Sequence, residues 1–179
     1  DIGNDFYQLW LDPSMTYSSA WFGGDLQQSL QQAQRAKYQR ILDLLDAQPG
    51  QTVLEIGCGW GGFAEMAAQR GLKVHGITLS SEQLAYAQRR MADAGLSDSV
   101  ELSLTDYRDL GSQYDHIVSI EMLEAVGERW WPSYFSQLSQ CLKPGGKAVV
   151  QVITIANSRF DYYRRNTDFI QQYIFPGGM

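Results

Sequence analysis

Apolar positions along this chain change period several times, and each change predicts an element. NDFYQLWL, residues 4 to 11, spaces its apolar side chains along one helical face, with Asn4 placed to cap it. DPSMTYSSAWFGGD follows as a loop rich in Ser, Gly and aromatic residues. From Ser29 to Ala47 a second helical face is traced by Leu30, Ala33, Ala36, Lys37, Ile41, Leu44 and Leu45, and QPGQ ends it. Short apolar runs then alternate with helical stretches. TVLEIG reads as a strand, GFAEMAAQRG as a helix closed by Gly71, KVHGITL as a strand, and SEQLAYAQRRMADAG as a helix capped by Ser80. SVELSL and YDHIVSIEM give two more strands, WPSYFSQLSQCLKPGG a helix, and KAVVQVITI a fifth strand. NSRFDYYRRNTDFIQQYIF predicts a last helix running to Pro176.

Alternation of this kind demands right-handed crossovers, so the fold class expected is α/β with a doubly wound, mostly parallel sheet. One domain is expected: a helical cap and loop over residues 1–48, an α/β core over 49–156 and a C-terminal helix over 157–179. Both ends fall in mid-pattern, so the chain reads as part of a longer protein whose first helices and last strands lie outside it.

Composition narrows the partners. At 179 residues with 44% hydrophobic and 19% charged content, the chain can bury a full core. No apolar run approaches the roughly 20 residues needed to cross a bilayer. A net charge of −6 argues against nucleic acid and gives no global attraction to an anionic membrane. Cys58 and Cys141 form no metal-type spacing, and a cytoplasmic setting is expected. His75 and His116 fall on strands and are read as structural.

The candidate chemistry starts at VLEIGCGWGGFAE, where a glycine-rich turn joins the first strand to its helix. Doubly wound folds bind nucleotides at this turn, because glycine lets the backbone approach a ligand and the next helix points free N–H groups at it. The spacing is G-x-G-x-G, with Glu55 two residues ahead, and is neither the dinucleotide G-x-G-x-x-G nor a P-loop. E-x-G-x-G-x-G resembles the first motif of class I S-adenosylmethionine-dependent methyltransferases, with their Rossmann-like fold. The resemblance implies that Gly57, Gly59 and Gly61 lie against the methionine and ribose end of S-adenosylmethionine. Thr78, Leu79 and Gln83 would hold the ribose without a charge, while Asp106 would accept from the adenine amino group and Tyr107 pack on its ring.

Five blocks, GNDFYQLWLDPSMTYSSAWF, LEIGCGWGGFAE, GITLSSEQ, SIEMLEAVGERWWPSYF and FIQQYIFPGG, together look like the cyclopropane fatty acid synthase family, almost end to end. That family transfers a methyl group from S-adenosylmethionine to the double bond of an unsaturated acyl chain held in a phospholipid. An alkene is a weak nucleophile and needs an oriented, dry pocket, and the carbocation formed is stabilised by aromatic faces. Tyr17, Trp21, Phe22, Trp130, Trp131, Tyr134 and Phe135 are the aromatic candidates for that role or for plain packing. Tyr17 and Ser18 match the family's cofactor-contacting stretch. The resemblance further implies a bound bicarbonate that takes the proton for ring closure, contacted by Glu124, with the Ile120–Glu121 strand end lining the same pocket.

Two positions depart from the pattern. Ser19 stands where family members commonly carry Cys, and Gln151 where many carry His. Both still hydrogen-bond an anion, but they open the outcome to methyl- or methylene-branched chains as well as a ring. Arg164 and Arg165 belong either to an acyl lid near lipid phosphates or to an amphipathic helix on the sheet. Two other readings stay open: methylation of a soluble small-molecule amine, and a cofactor- or lipid-binding relative without turnover. Under the lipid reading the protein would also touch the inner membrane face peripherally.

Overall fold

The computed structural model describes residues 3–167, 169, 172 and 173. Helix α1 (Asn4–Gln8) and helix α2 (Leu30–Leu45) precede strand β1 (Thr52–Ile56), helix α3 (Gly62–Gln69), strand β2 (Lys73–Thr78), helix α4 (Ser81–Asp93) and strand β3 (Val100–Leu104). Strand β4 (Tyr114–Ile120), the short helix α5 (Leu123–Val126), helix α6 (Trp131–Cys141), strand β5 (Leu142–Gln151) and helix α7 (Asn157–Arg165) complete the series. The strands form one sheet in the order β3-β2-β1-β4-β5, parallel at every pairing. This is the doubly wound arrangement expected, with its order reversing beside β1.

Alternation along β1 assigns its two faces. Val53 joins a core with Tyr38, Ile41, Leu42 and Leu45 of α2 and Phe63, Ala64 and Ala67 of α3. Leu54 and Ile56 join the opposite core, with Ile117 of β4 and Tyr134, Leu138 and Cys141 of α6.

Local signals hold where capping chemistry is strong. Ser29 and Gln32 form a reciprocal capping box on α2, and the Ser80 hydroxyl accepts from the Gln83 N–H at the start of α4. Elsewhere the structure corrects the pattern. Gly3, not Asn4, is the N-cap of α1, because the Asn4 Oδ1 instead accepts from Trp60 Nε1 at 2.7 Å. The expected face of α2 is buried at Ala33, Lys37, Ile41 and Leu45 and is widened by Gln34, Tyr38 and Leu42, whereas Leu30 and Leu44 are 39% and 53% exposed. The last helix before β5 stops at Cys141, and the LKPGG stretch assigned to it opens β5 instead. Tyr114 pairs with Leu142 and His116 with Lys147, so the extra residues form a bulge in which Pro144 is unpaired among the described residues. Val152 to Ile155 are not strand, and the helix expected to run on to Pro176 ends at Arg165 with Asn166 extended; most of the stretch after residue 167 lies outside the described residues.

One electrostatic clamp fixes the base of the sheet. The Asp115 carboxylate accepts from the Thr52 N–H at 2.8 Å, the Thr52 hydroxyl at 2.7 Å and Lys143 Nζ at 3.0 Å. These bonds, the Thr52 N–H foremost, hold its carboxyl well below the usual carboxylate range. Its contribution is therefore present above the unfolded value near pH ~4 and lost as the pH falls further, because the unfolded chain takes up the proton first. Urea unfolding against pH should show stability dropping on that limb. Asp115→Asn should lose about 2 kcal/mol at neutral pH and flatten the dependence.

Candidate active site

A cleft of about 1070 Å³ opens at the carboxyl ends of β1, β2 and β4, beside the point where the strand order reverses. The glycine turn forms one wall. Gly57 adopts φ +83°, and its N–H and that of Cys58 both donate to the Ile77 carbonyl, at 3.0 and 2.9 Å. A Cβ on Gly57 would press against the Met122 side chain at 3.2 Å. Gly59 stands against Tyr17, whose ring lies 3.9 Å from a Cβ placed there. Gly61 does different work. It caps α3 at φ +82°, and a Cβ would meet Ala87 and Met91 of α4 at 3.2 Å, so its lack of a side chain serves helix packing and not the cleft. Glu55 is also away from the cleft. It is buried on the α2–α3 side and accepts from the Ala64 N–H in the first turn of α3. Burial pushes its carboxyl well above the usual range.

Thr78, Leu79, Gln83, Asp106 and Tyr107 all line the cleft, as does Tyr17. Thr78 Oγ1 donates to Gln83 Oε1 at 3.2 Å, and Gln83 also bonds the Tyr17 hydroxyl, which burial pushes up. Asp106 accepts from Arg108 Nε at 2.9 Å and Nη2 at 2.6 Å, a forked pair that holds its carboxyl below the usual range. Arg108 escaped the sequence reading although it lines the same cleft. Over the glycine turn, Tyr7 and Tyr17 pack on Trp60 at centroid distances of 4.9 and 5.4 Å, so α1 closes one side. Ser18 does not line the cleft; its Oγ accepts from Lys37 Nζ at 2.6 Å.

The three candidate catalytic residues divide. Ser19 and Gln151 meet, and what they meet on is Glu121. The Ser19 N–H donates to Glu121 Oε1 at 3.0 Å, the Ser19 hydroxyl at 2.5 Å and Gln151 Nε2 at 2.9 Å. Gln151 Nε2 also reaches Ser19 Oγ at 3.1 Å. Glu121 closes β4 in the left-handed region, φ +49°, a costly conformation for a residue with a side chain and one that concentrates at functional sites. Glu124, one turn on, accepts from the Ile153 N–H through Oε1, while its buried Oε2 has no partner among the described residues. Sequence reading placed the Ile120–Glu121 strand end on the pocket wall. In the structure neither residue lines the cleft, nor do Ser19, Gln151 and Glu124, although the neighbouring Met122 does. Sequence reading missed the meeting of Ser19 and Gln151 on Glu121. An acid on the last position of a strand, just ahead of the helix-start signal, was the available clue.

Among the aromatic candidates, Tyr17 and Trp130 line the cleft. Tyr134 is fully buried, Trp21 stacks under Arg40 at 4.5 Å, and Phe135 is half exposed. Phe22 and Trp131 are not on the cleft wall. His75 bonds Tyr114 and Ser103, and His116 bonds Gln51, in structural settings. Helix α7 buries no residue, and Arg164 pairs with Glu128 at 2.7 Å.

A parallel sheet with its glycine turn at the switch point and a neutral Thr–Gln pair on the next strand end defines a Rossmann-like fold of the class I methyltransferase type. The chain belongs to the mycolic acid cyclopropane synthetase family, whose model matches residues 1–179. It is 46% identical over 185 residues to the tuberculostearic acid methyltransferase UfaA1 of Mycobacterium tuberculosis, covering all of this chain and 43% of that protein. It is 43% identical over 181 residues to the cyclopropane-fatty-acyl-phospholipid synthase of Escherichia coli K12, covering 99% of this chain and 44% of that one. The chain thus spans under half the length of these relatives. Its structure matches that of mycolic acid cyclopropane synthase CmaA1 complexed with SAH and CTAB at a TM-score of 0.89, with 33% identity over 98% of this chain and 65% of the other.

Proposed function

We propose that the protein is an S-adenosylmethionine-dependent methyltransferase that acts on the double bond of an unsaturated acyl chain in a phospholipid, with Glu121 as the base. The observation that carries this reading is the convergence of three donors, two from Ser19 and one from Gln151, on one oxygen of Glu121. These are the groups that the family resemblance would aim at a bicarbonate; here they hold a carboxylate of the chain itself.

The residues present fit the cofactor. Gly57 leaves a cradle that a Cβ would fill, Thr78 and Gln83 offer hydrogen bonds to hydroxyls, and Tyr107 offers a ring face. Bound there, S-adenosylmethionine would supply an electrophilic methyl group, its S–C bond breaking to leave S-adenosylhomocysteine. Tyr17 and Trp130, on the cleft wall, would face the positive charge left on the acyl chain once its alkene electrons form the new C–C bond. Glu121, next in the chain to Met122 on the cleft wall, would accept a proton from the added methyl, whose C–H electron pair closes the ring. Ser19 and Gln151 orient the carboxylate and neither competes as a strong nucleophile.

A second product follows from the same base if the cation first migrates by a hydride shift, which gives a methylene branch. The left-handed strain at Glu121 and the replaced Cys and His positions favour keeping this outcome in the test. Delivery from a lipid surface is supported by α1, which buries no residue, and by the turn after it, where Leu9 and Trp10 are 77% and 71% exposed, while Gly3, Asn4 and Tyr7 line the cleft. Among the described residues no helix is long and apolar enough to cross a membrane, so the contact proposed is peripheral.

The full-length protein, incubated with methyl-labelled S-adenosylmethionine and vesicles of a monounsaturated phosphatidylethanolamine, should put label into the acyl chain. Mass spectrometry should find one added CH₂ with the double bond lost; retained unsaturation identifies the methylene branch. No label in lipid, with cofactor binding intact, would overturn the acyl reading and point to soluble acceptors.

A further inference from the structure

One buried cation has no part in the steps above. Lys37 lies on the buried face of α2, 3% exposed, with its Nζ donating to Ser18 Oγ at 2.6 Å. From the preceding turn of the same helix, Gln34 Nε2 donates to the Ser18 carbonyl at 2.8 Å and reaches the Thr16 carbonyl at 3.4 Å. Two buried side chains of α2 therefore grip one strap at its middle residue. The residue before that grip, Tyr17, faces the cofactor cleft and bonds Gln83; the residue after it, Ser19, supplies two of the donors to Glu121. Ser18 is thus the point at which cofactor cleft and base are mechanically joined.

A buried ammonium is costly, and a methionine or leucine would fill this space without the desolvation penalty. Burial lowers the Lys37 amine to about 8, and the charges that oppose this are Glu121 first, then Asp12 and Glu55. Asp12 is already committed, accepting from the Ser14 N–H and hydroxyl. Glu55 is pushed up by its own burial and accepts from the Ala64 N–H. Tyr17 and Tyr38, pushed up by burial, face the same region as neutral hydroxyls. Arg40 shares with Lys37, Ser19 and Gln151 a side cavity of about 330 Å³ between α2 and β5, but its guanidinium is stacked on Trp21. Ser19 and Gln151, which share that cavity with Lys37, are the two residues that donate to Glu121.

We propose that Lys37 is a positioning residue for Glu121: through Ser18 it seats the strap that presents the two Ser19 donors to the carboxylate. This rests on the reading of Glu121 as the base.

The test uses the full-length protein with label transfer to monounsaturated phosphatidylethanolamine vesicles, measured as kcat and KM. Lys37→Met should lower kcat roughly ten- to a hundredfold with the KM for lipid near parental. Lys37→Arg, which keeps a donor for Ser18, should recover part of the loss. The thermal midpoint of Lys37→Met should equal or exceed that of the parent, since a buried ammonium has been removed. Ser18→Ala removes the same contact from the other side and should lower kcat in the same way, and it carries the test if Lys37→Met does not fold. A Lys37→Met variant with parental kcat overturns the role of Lys37, as does a Ser18→Ala variant with parental kcat. Glu121→Gln, measured alongside, separates the two readings. Its full activity would overturn the base assignment and this proposal with it, whereas its inactivity beside parental kcat in Lys37→Met overturns the Lys37 role alone.

Discussion

Glu121→Gln in the full-length protein is expected to lower acyl product formation on the order of a thousandfold, within the range that a positioned general base supplies. The amide keeps an oxygen that accepts from Ser19 and Gln151, so the local geometry survives while the capacity to take a proton is lost. Cofactor affinity, measured by titration calorimetry, should change little, because Glu121 does not line the cleft that Gly57, Thr78 and Gln83 form. Glu124→Gln provides the contrast. Among the described residues Glu124 accepts only from the Ile153 N–H, a bond an amide oxygen keeps, so Glu124→Gln should leave the loop after β5 in place and lower activity far less than Glu121→Gln. A fall of less than tenfold in Glu121→Gln, together with dependence on added bicarbonate, would return the base to an exogenous anion.

The second large effect separates two glycines that the motif treats alike. Gly61→Val should destabilise the fold by about 4 kcal/mol, the sum of a side chain forced to φ +82° and the overpacking of a Cβ against Ala87 and Met91. Gly57→Ala meets only the flexible Met122 side chain, so its stability cost should be nearer 1–2 kcal/mol, mostly strain at φ +83°. Its main effect should fall on the cofactor, with affinity weakened more than tenfold. Denaturant unfolding and calorimetric binding of S-adenosylhomocysteine measure the two quantities independently. Equal losses of stability would show that both glycines serve packing alone.

Element order and the place of the cofactor turn were legible in the sequence because each depends on residues close together in the chain. Period-2 runs bounded by Gly, Ser80 at a helix start and the G-x-G-x-G spacing each report local backbone geometry. Errors came where a distant partner outweighed the local preference. Asn4 was drawn from capping to Trp60, fifty-six residues away. The buried face of α2 widened to take in Gln34, which reaches the strap at residues 16 and 18, while Leu44 stays exposed. The LKPGG stretch joined the edge of the sheet because β4 offered it a ladder, and a bulge absorbed its extra length.

The amino-acid sequence alone therefore determined the class of fold, the strand end at which a cofactor would sit and the cleft-wall residues Tyr17, Thr78, Gln83, Asp106 and Tyr107. Only the tertiary structure decided that Ser19 and Gln151 meet on Glu121 and not on Glu124. Ser19 lies 102 residues from Glu121, and Gln151 lies 132 from Ser19. Their convergence depends on the pairing of β4 with β5 and on the strap drawn under α2. Hydrophobic periodicity fixes where a strand runs, but hydrogen bonds across such separations form only once the sheet register has been set.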